Sequence, residues 1–156
     1  GVAVIANRGA SGIDGLVATA AGAAVGTGRQ ATLLIGDLAL LHDLNSLALL
    51  RQIPVVVVAL NNDGGGIFHF LPIAKQTDVF EPYFGTPHGM DFAHAAKQFG
   101  LPYHGPDTPD ALVQAYAEAL KSGQSALIEV QTDRAENHAL HERILQAVRA
   151  STRTIR

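Results

Sequence analysis

Two short stretches of this chain end in residues able to hold a hard cation and the anion that accompanies it. Gly36-Asp37 follows the apolar run 32–35, and Asn61-Asn62-Asp63-Gly64-Gly65-Gly66 follows the apolar run 55–60. Asp37 offers a carboxylate oxygen, Asn62 a side-chain carbonyl oxygen, and the glycine run its backbone carbonyls. All-oxygen ligation without His or Cys suits Mg²⁺, which keeps water and takes phosphate oxygens from its ligand. Glycines admit close backbone approach, and amide N–H groups at helix starts favour phosphate. The expected ligand is a diphosphate bridged by Mg²⁺. Taken singly, each stretch is also an ordinary turn signal. Their pairing is more specific: Asn62 lies 25 residues after Asp37, and each stretch ends a run that reads as a buried strand.

The elements that must position these residues alternate along the chain. Residues 2–6 read as a strand, "NRGASGIDG" as a turn, and residues 16–25 as a helix of small residues. A second strand covers 32–35, a buried helix 38–51, and a third strand 55–60, whose unbroken apolar run marks burial on both faces. Residues 69–89 contain three prolines and no periodicity, which predicts a long functional or mobile loop that stays loose without ligand. A helix follows over 91–99 with Asp91 as N-cap, then a short extended piece at "LPYHG". Thr108-Pro109 opens another helix, which Gly123 closes. Residues 126–130 form a last strand, and Leu140, Ile144, Leu145 and Val148 line one face of a C-terminal helix.

Strand–helix alternation at this spacing implies an α/β fold, a doubly wound and mostly parallel sheet with helices on both faces. Residues 1–156 read as a single domain, without repeat or interior linker. In such sheets the loops after the strands emerge together at the carboxyl ends, where ligands bind. Loops 7–15, 36–37 and 61–68 each follow a predicted strand and are therefore expected to converge.

Composition narrows the partners. The chain is 47% hydrophobic and 16% charged with a net charge of −3, which supplies no electrostatic pull towards nucleic acid or an anionic membrane. The absence of Cys removes disulfides, thiol nucleophiles and thiolate metal sites, and fits a cytoplasmic protein. The longest apolar run, 53–60, is too short to span a bilayer. The chain opens at Gly1 and enters a strand-like run at once, so it is expected to be a piece of a longer protein cut just before a strand, with removal of a short tag or leader as the alternative.

The pair of stretches resembles the thiamin-diphosphate fingerprint, Gly-Asp-Gly followed by a helix, a strand and Asn-Asn, with Leu38 standing where the fingerprint has its second Gly. Together "NRGASGIDG", "GDLALLHDLNSL", "LNNDGGGIF" and "FGTPHGMDF" resemble the C-terminal, diphosphate-binding domain of the 2-succinyl-5-enolpyruvyl-6-hydroxy-3-cyclohexene-1-carboxylate synthases. These are thiamin-dependent enzymes of menaquinone biosynthesis. The resemblance runs over about residues 4–92.

It implies thiamin diphosphate and Mg²⁺ (or Mn²⁺) as cofactors, with Asp37, Asn62 and the Gly64 carbonyl as metal ligands. Groups around Ser11, Gly12, Gly36, Leu38, Gly65 and Gly66 would hold the diphosphate. Ile13 would be the bulky residue that bends the cofactor, with ordinary core packing as its alternative. Arg8 matches an arginine for substrate carboxylate, a suitable role for a planar guanidinium facing dicarboxylates. Ile67, Phe68 and Leu71 would wall the substrate pocket. The implied reaction joins 2-oxoglutarate, with loss of CO₂, to isochorismate.

In enzymes of this type a Glu on a separate pyrimidine-binding domain, normally of another subunit of a homo-oligomer, activates the cofactor. None of Glu81, Glu118, Glu129, Glu136 and Glu142 sits in a comparable motif, so no catalytic residue is assigned here and the isolated chain is expected to be inactive. The histidines read as exposed or structural, Asp14 and Asp43 as residues that orient loops, and residues 140–142 as a solvated helix face. Two other functions stay open: a different thiamin-dependent 2-keto-acid decarboxylase, and a binding module without catalysis.

Overall fold

In the structure, a computed structural model that describes residues 2–7 and 12–153, the first element is a helix made of small residues. This helix, α1 (Leu16–Thr27), buries Val17, Ala20, Ala21 and Ala24, one stripe at helical spacing. It ends at Gly28, which takes the left-handed conformation that a side chain resists. The Gly28 and Arg29 amides then satisfy the last-turn carbonyls of Val25 and Ala24.

Strand β1 (Ala31–Gly36) runs into α2 (Asp37–His42) and a 3₁₀ segment, Leu44–Arg51. Strand β2 (Val55–Asn61) follows. Its Val55, Val56 and Val57 are fully buried, and successive side chains point to opposite faces. Removing each from water is worth about 2 kcal/mol.

Further on come α3 (Thr77–Phe80), α4 (Ala93–Phe99), β3 (Tyr103–His104), α5 (Pro109–Ser122), β4 (Ala126–Gln131) and α6 (Arg134–Arg153). The described strands form one sheet in the order β1-β2-β4-β3, every pair parallel. On one face Val55, Val57, Ala59 and Leu127 meet residues of α1, α2 and α4. On the other, Val56, Ala126 and Ile128 meet Ala115 and Ala119 of α5. This is the doubly wound α/β sheet that the alternation predicts.

Several local expectations are corrected. Residues 2–7 form no strand: they are exposed and pair with no described strand, because β character is realised only against a partner ladder. The helix expected over 38–51 breaks at Asp43. There the carboxylate turns inward to accept the Val17 amide at 2.7 Å and the Ser46 hydroxyl at 2.6 Å. Helix α4 starts at Ala93, with Asp91 capping from one residue earlier by accepting the Ala93 amide at 3.0 Å.

The described chain divides into two compact units. One unit holds the sheet up to Asn61 and resumes over Met90–Gln131; the other holds Asn62–Gly89 and the stretch from Thr132 onward. In this second unit the region expected to be an irregular loop is a chain of short turns. Gly66–Phe70 and Pro72–Lys75 are 3₁₀, α3 follows, and Glu81–Gly85 is π-helical. Aromatic edges close it: His69 on Phe80 at 4.7 Å, Phe68 on Phe84 at 5.6 Å, and Phe70 against His138 and His141 of α6. Arg134 joins Glu81 at 3.1 Å.

Candidate functional site

The predicted residues fall into two groups, one in each unit. In the sheet unit, Gly36 pairs in register with Leu60, so β1 and β2 end side by side. Asp37 opens α2 and is 3% exposed, with its Oδ1 accepting the Leu38 amide at 2.7 Å. Gly36 has ordinary extended backbone, and a Cβ built on it meets nothing within 4 Å. Nothing in the chain's own packing requires glycine there. Gly12 has the same open space, and Ile13 beside it is 47% exposed. Arg8 and Ser11 lie outside the described residues.

In the second unit the glycines have a different reason. Gly64 sits at φ +124°, and a side chain there would run into the Gly85 carbonyl oxygen. One on Gly65 would strike the Phe84 carbonyl oxygen, and one on Gly66 the Asn62 amide. Gly64 and Gly65 are glycine because backbone packs on backbone, with the Gly65 amide donating to Gly85 O at 2.7 Å. Asn62 Oδ1 is buried without a hydrogen-bond partner. An orphaned buried acceptor is costly in a folded chain and calls for an explanation. Ile67 and Leu71 are exposed, and Phe68 edges onto Phe84.

Asp63, which was given no role from sequence, closes the far end of this loop. Held at φ 58°, it accepts the Gly89 amide at 2.7 Å and the His88 amide at 2.8 Å through Oδ1. The Gly89 hydrogen bond, followed by that from His88 and the charge of a protonated His88, pulls its carboxyl below the usual range. Glu129 was likewise missed. It is 1% exposed on β4 and carries three hydrogen bonds. Burial and then the Glu129 carboxylate push the Tyr103 phenol well above its ordinary value. The available signal was a lone acidic residue inside the apolar run 126–130, which sequence reading passes over.

Two clefts open in the sheet unit. One of about 560 Å³ is lined by residues including Tyr103, Pro106, Thr108 and Gln131. Another of about 600 Å³ lies between residues of 2–7, α1 and β1. Among the described residues, neither is lined by those picked out from the sequence as site residues.

Fold and strand-end chemistry define the class, a doubly wound parallel α/β domain, a kind of sheet in which the carboxyl ends of the strands are the usual place for ligands. The chain belongs to the thiamine pyrophosphate enzyme family as its C-terminal TPP binding domain, which matches residues 4–130. Among curated relatives, the 2-succinyl-5-enolpyruvyl-6-hydroxy-3-cyclohexene-1-carboxylate synthase of Salinibacter ruber is 67% identical over 143 residues, covering 92% of this chain and 24% of the relative. The protein of the same name from Rubrobacter xylanophilus is 67% identical over 145 residues, 93% of this chain and 25% of the relative. The chain thus spans about a quarter of these relatives. Among solved structures, a thiamine diphosphate-dependent 4-hydroxybenzoylformate decarboxylase of Rhodococcus jostii RHA1 superposes with a TM-score of 0.63 at 32% identity, covering 73% of this chain and 22% of that one. A benzoylformate decarboxylase from Polynucleobacter necessarius gives 0.64 at 24% identity over 80% of this chain and 24% of that one, a likeness of fold.

Proposed function

We propose that this chain is the thiamin-diphosphate- and Mg²⁺-binding part of a cytoplasmic homo-oligomeric synthase that decarboxylates 2-oxoglutarate and adds the four-carbon remainder to isochorismate, in menaquinone biosynthesis. The 67% identity to two synthases of that name supports the substrates. The observation that carries the metal reading is Asn62 Oδ1, a buried oxygen left without a partner. The chemistry of the donor set agrees: carboxylate, amide oxygen and backbone carbonyl are hard ligands suited to Mg²⁺, and to Mn²⁺ in its place.

Asp37, Asn62 and the Gly64 carbonyl would hold the cation. The open space at Gly36 and Gly12 suits backbone approach by diphosphate, with Ser11, Leu38, Gly65 and Gly66 contributing amide or hydroxyl groups. When bound, thiamin diphosphate supplies the electron sink that a 2-keto acid needs to lose CO₂. Ile13 would support that cofactor, and Arg8 would take a substrate carboxylate. Exposed Ile67 and Leu71, with Phe68, would form an apolar wall that excludes water. The activating carboxylate would come from a pyrimidine-binding domain on another subunit. No described helix is long and apolar enough to cross a membrane.

Calorimetric titration of the full-length protein with Mg²⁺ and thiamin diphosphate tests this. Asp37→Ala and Asn62→Ala should each weaken Mg²⁺ binding beyond the roughly 10–100-fold typical of losing a supporting contact. Unchanged affinity in both would overturn the metal assignment, and absence of any binding would favour a module without catalysis. The 32% identical decarboxylase supports a second reading, decarboxylation of another 2-keto acid. Product analysis with 2-oxoglutarate and isochorismate separates the two.

A further inference from the structure

The segment Asn62–Gly89 leaves the sheet unit after Asn61 and returns at Met90, so the end of β2 at Asn61 and the stretch 90–92 are the stems of an excursion. One side chain holds both stems. Glu129 accepts the Asn61 Nδ2–H through Oε1 at 2.7 Å, and through Oε2 the Phe92 amide at 2.8 Å and the Tyr103 hydroxyl at 2.9 Å. Asn61 Nδ2 also donates to the Met90 carbonyl at 2.8 Å. Both partners of that nitrogen are acceptors, so the Asn61 amide has one possible orientation. A carboxylate suits this place because it accepts only. Gln in the same position must aim an N–H at either the Asn61 amide or the Phe92 amide, leaving a buried donor facing a donor.

We propose that Glu129 is a positioning residue: its carboxylate clasps the two stems of the 62–89 excursion and sets the backbone at Asn61, from which Asn62 and Gly64 are presented. The inference rests on the reading of Asn62 and Gly64 as metal ligands. Charge is not the main effect. The clasp acts through geometry, since it ties the end of β2, the start of α4 and the short strand β3 to one buried group.

The test uses the full-length protein saturated with thiamin diphosphate, titrated with Mg²⁺, together with hydrogen exchange of peptides covering residues 62–89. Glu129→Gln should weaken Mg²⁺ binding about tenfold, the scale of a lost supporting contact, while kcat at saturating Mg²⁺ stays within about threefold. Exchange across 62–89 should rise in the metal-free protein as well, which a purely catalytic defect would not cause. Ile128→Val, in the neighbouring core, should loosen β4 without moving either readout. A Glu129→Gln protein that matches Ile128→Val in both overturns the proposal. Should Glu129→Gln fail to fold, Asn61→Ala must reproduce both changes and Tyr103→Phe, which removes one of three donors, must show smaller ones; absence of both effects overturns the clasp. If Asp37→Ala and Asn62→Ala bind Mg²⁺ normally, the metal reading has failed. If they lose it while Glu129→Gln does not, only the clasp has failed.

Discussion

Asp63 shows how one residue can make a loop sensitive to acid. Its carboxyl lies below the ordinary range because the Gly89 amide, and after it the His88 amide, bind the ionised form. With the folded value below the unfolded one, its stabilisation is complete above the unfolded value of about 3.9. That stabilisation is lost as pH falls through the folded value. The side chain is about half exposed, so the effect is modest and weakened by salt. The protection factors of 62–89 in hydrogen exchange should therefore fall below about pH 4 in the native chain and stay flatter in Asp63→Asn. Superimposable pH profiles would show that these hydrogen bonds carry no pH-dependent stability. The oxygen-donor character of Asp37 and Asn62, and their place after two strands, was legible from residue type and spacing. Asp63 and Glu129 were not, because an acidic residue's partners are chosen by the fold and not by its neighbours in sequence.

At the scale of elements, glycines separate into those the fold requires and those it does not. A Cβ on Gly65 meets the Phe84 carbonyl oxygen and the Phe68 ring, and backbone cannot yield as a side chain can. Gly65→Ala should cost about 1–3 kcal/mol in urea unfolding, as overpacking does. Gly22, inside α1, has nothing within 4 Å of its missing Cβ and an ordinary φ. Gly22→Ala should gain about 0.5–1 kcal/mol by restricting the unfolded chain. The reverse order of stabilities would count against this packing. Most elements could be read from the sequence: α1, β1, β2, α5 and β4 follow from apolar runs with Gly, Thr and Pro punctuation. The failures share one cause. Residues 2–7 needed a partner strand, and the helix at 38–51 broke because Asp43 found the Val17 amide of α1, a long-range bond that periodicity does not encode.

For the whole molecule, the chain is about a quarter of its relatives, and its own glutamates are either engaged in the packing or exposed on helices. Glu129 is clasped and Glu81 pairs with Arg134, while Glu118, Glu136 and Glu142 sit exposed on α5 and α6. The 156-residue chain alone should therefore show no turnover of 2-oxoglutarate plus isochorismate, whereas the full-length protein should. Product formed by the purified chain would refute the need for a carboxylate from elsewhere.

The sequence by itself determined the alternating strands and helices, their burial, and the hard-oxygen character of the residues after β1 and β2. Those properties are local, set by runs of a few side chains and the turns that end them. The tertiary structure decided which buried polar groups find partners. Asn62 Oδ1 is left open, whereas Glu129 gathers donors from 26, 37 and 68 residues away. Hydrogen-bond satisfaction is a property of the packed chain, and no window of sequence contains both ends of such bonds.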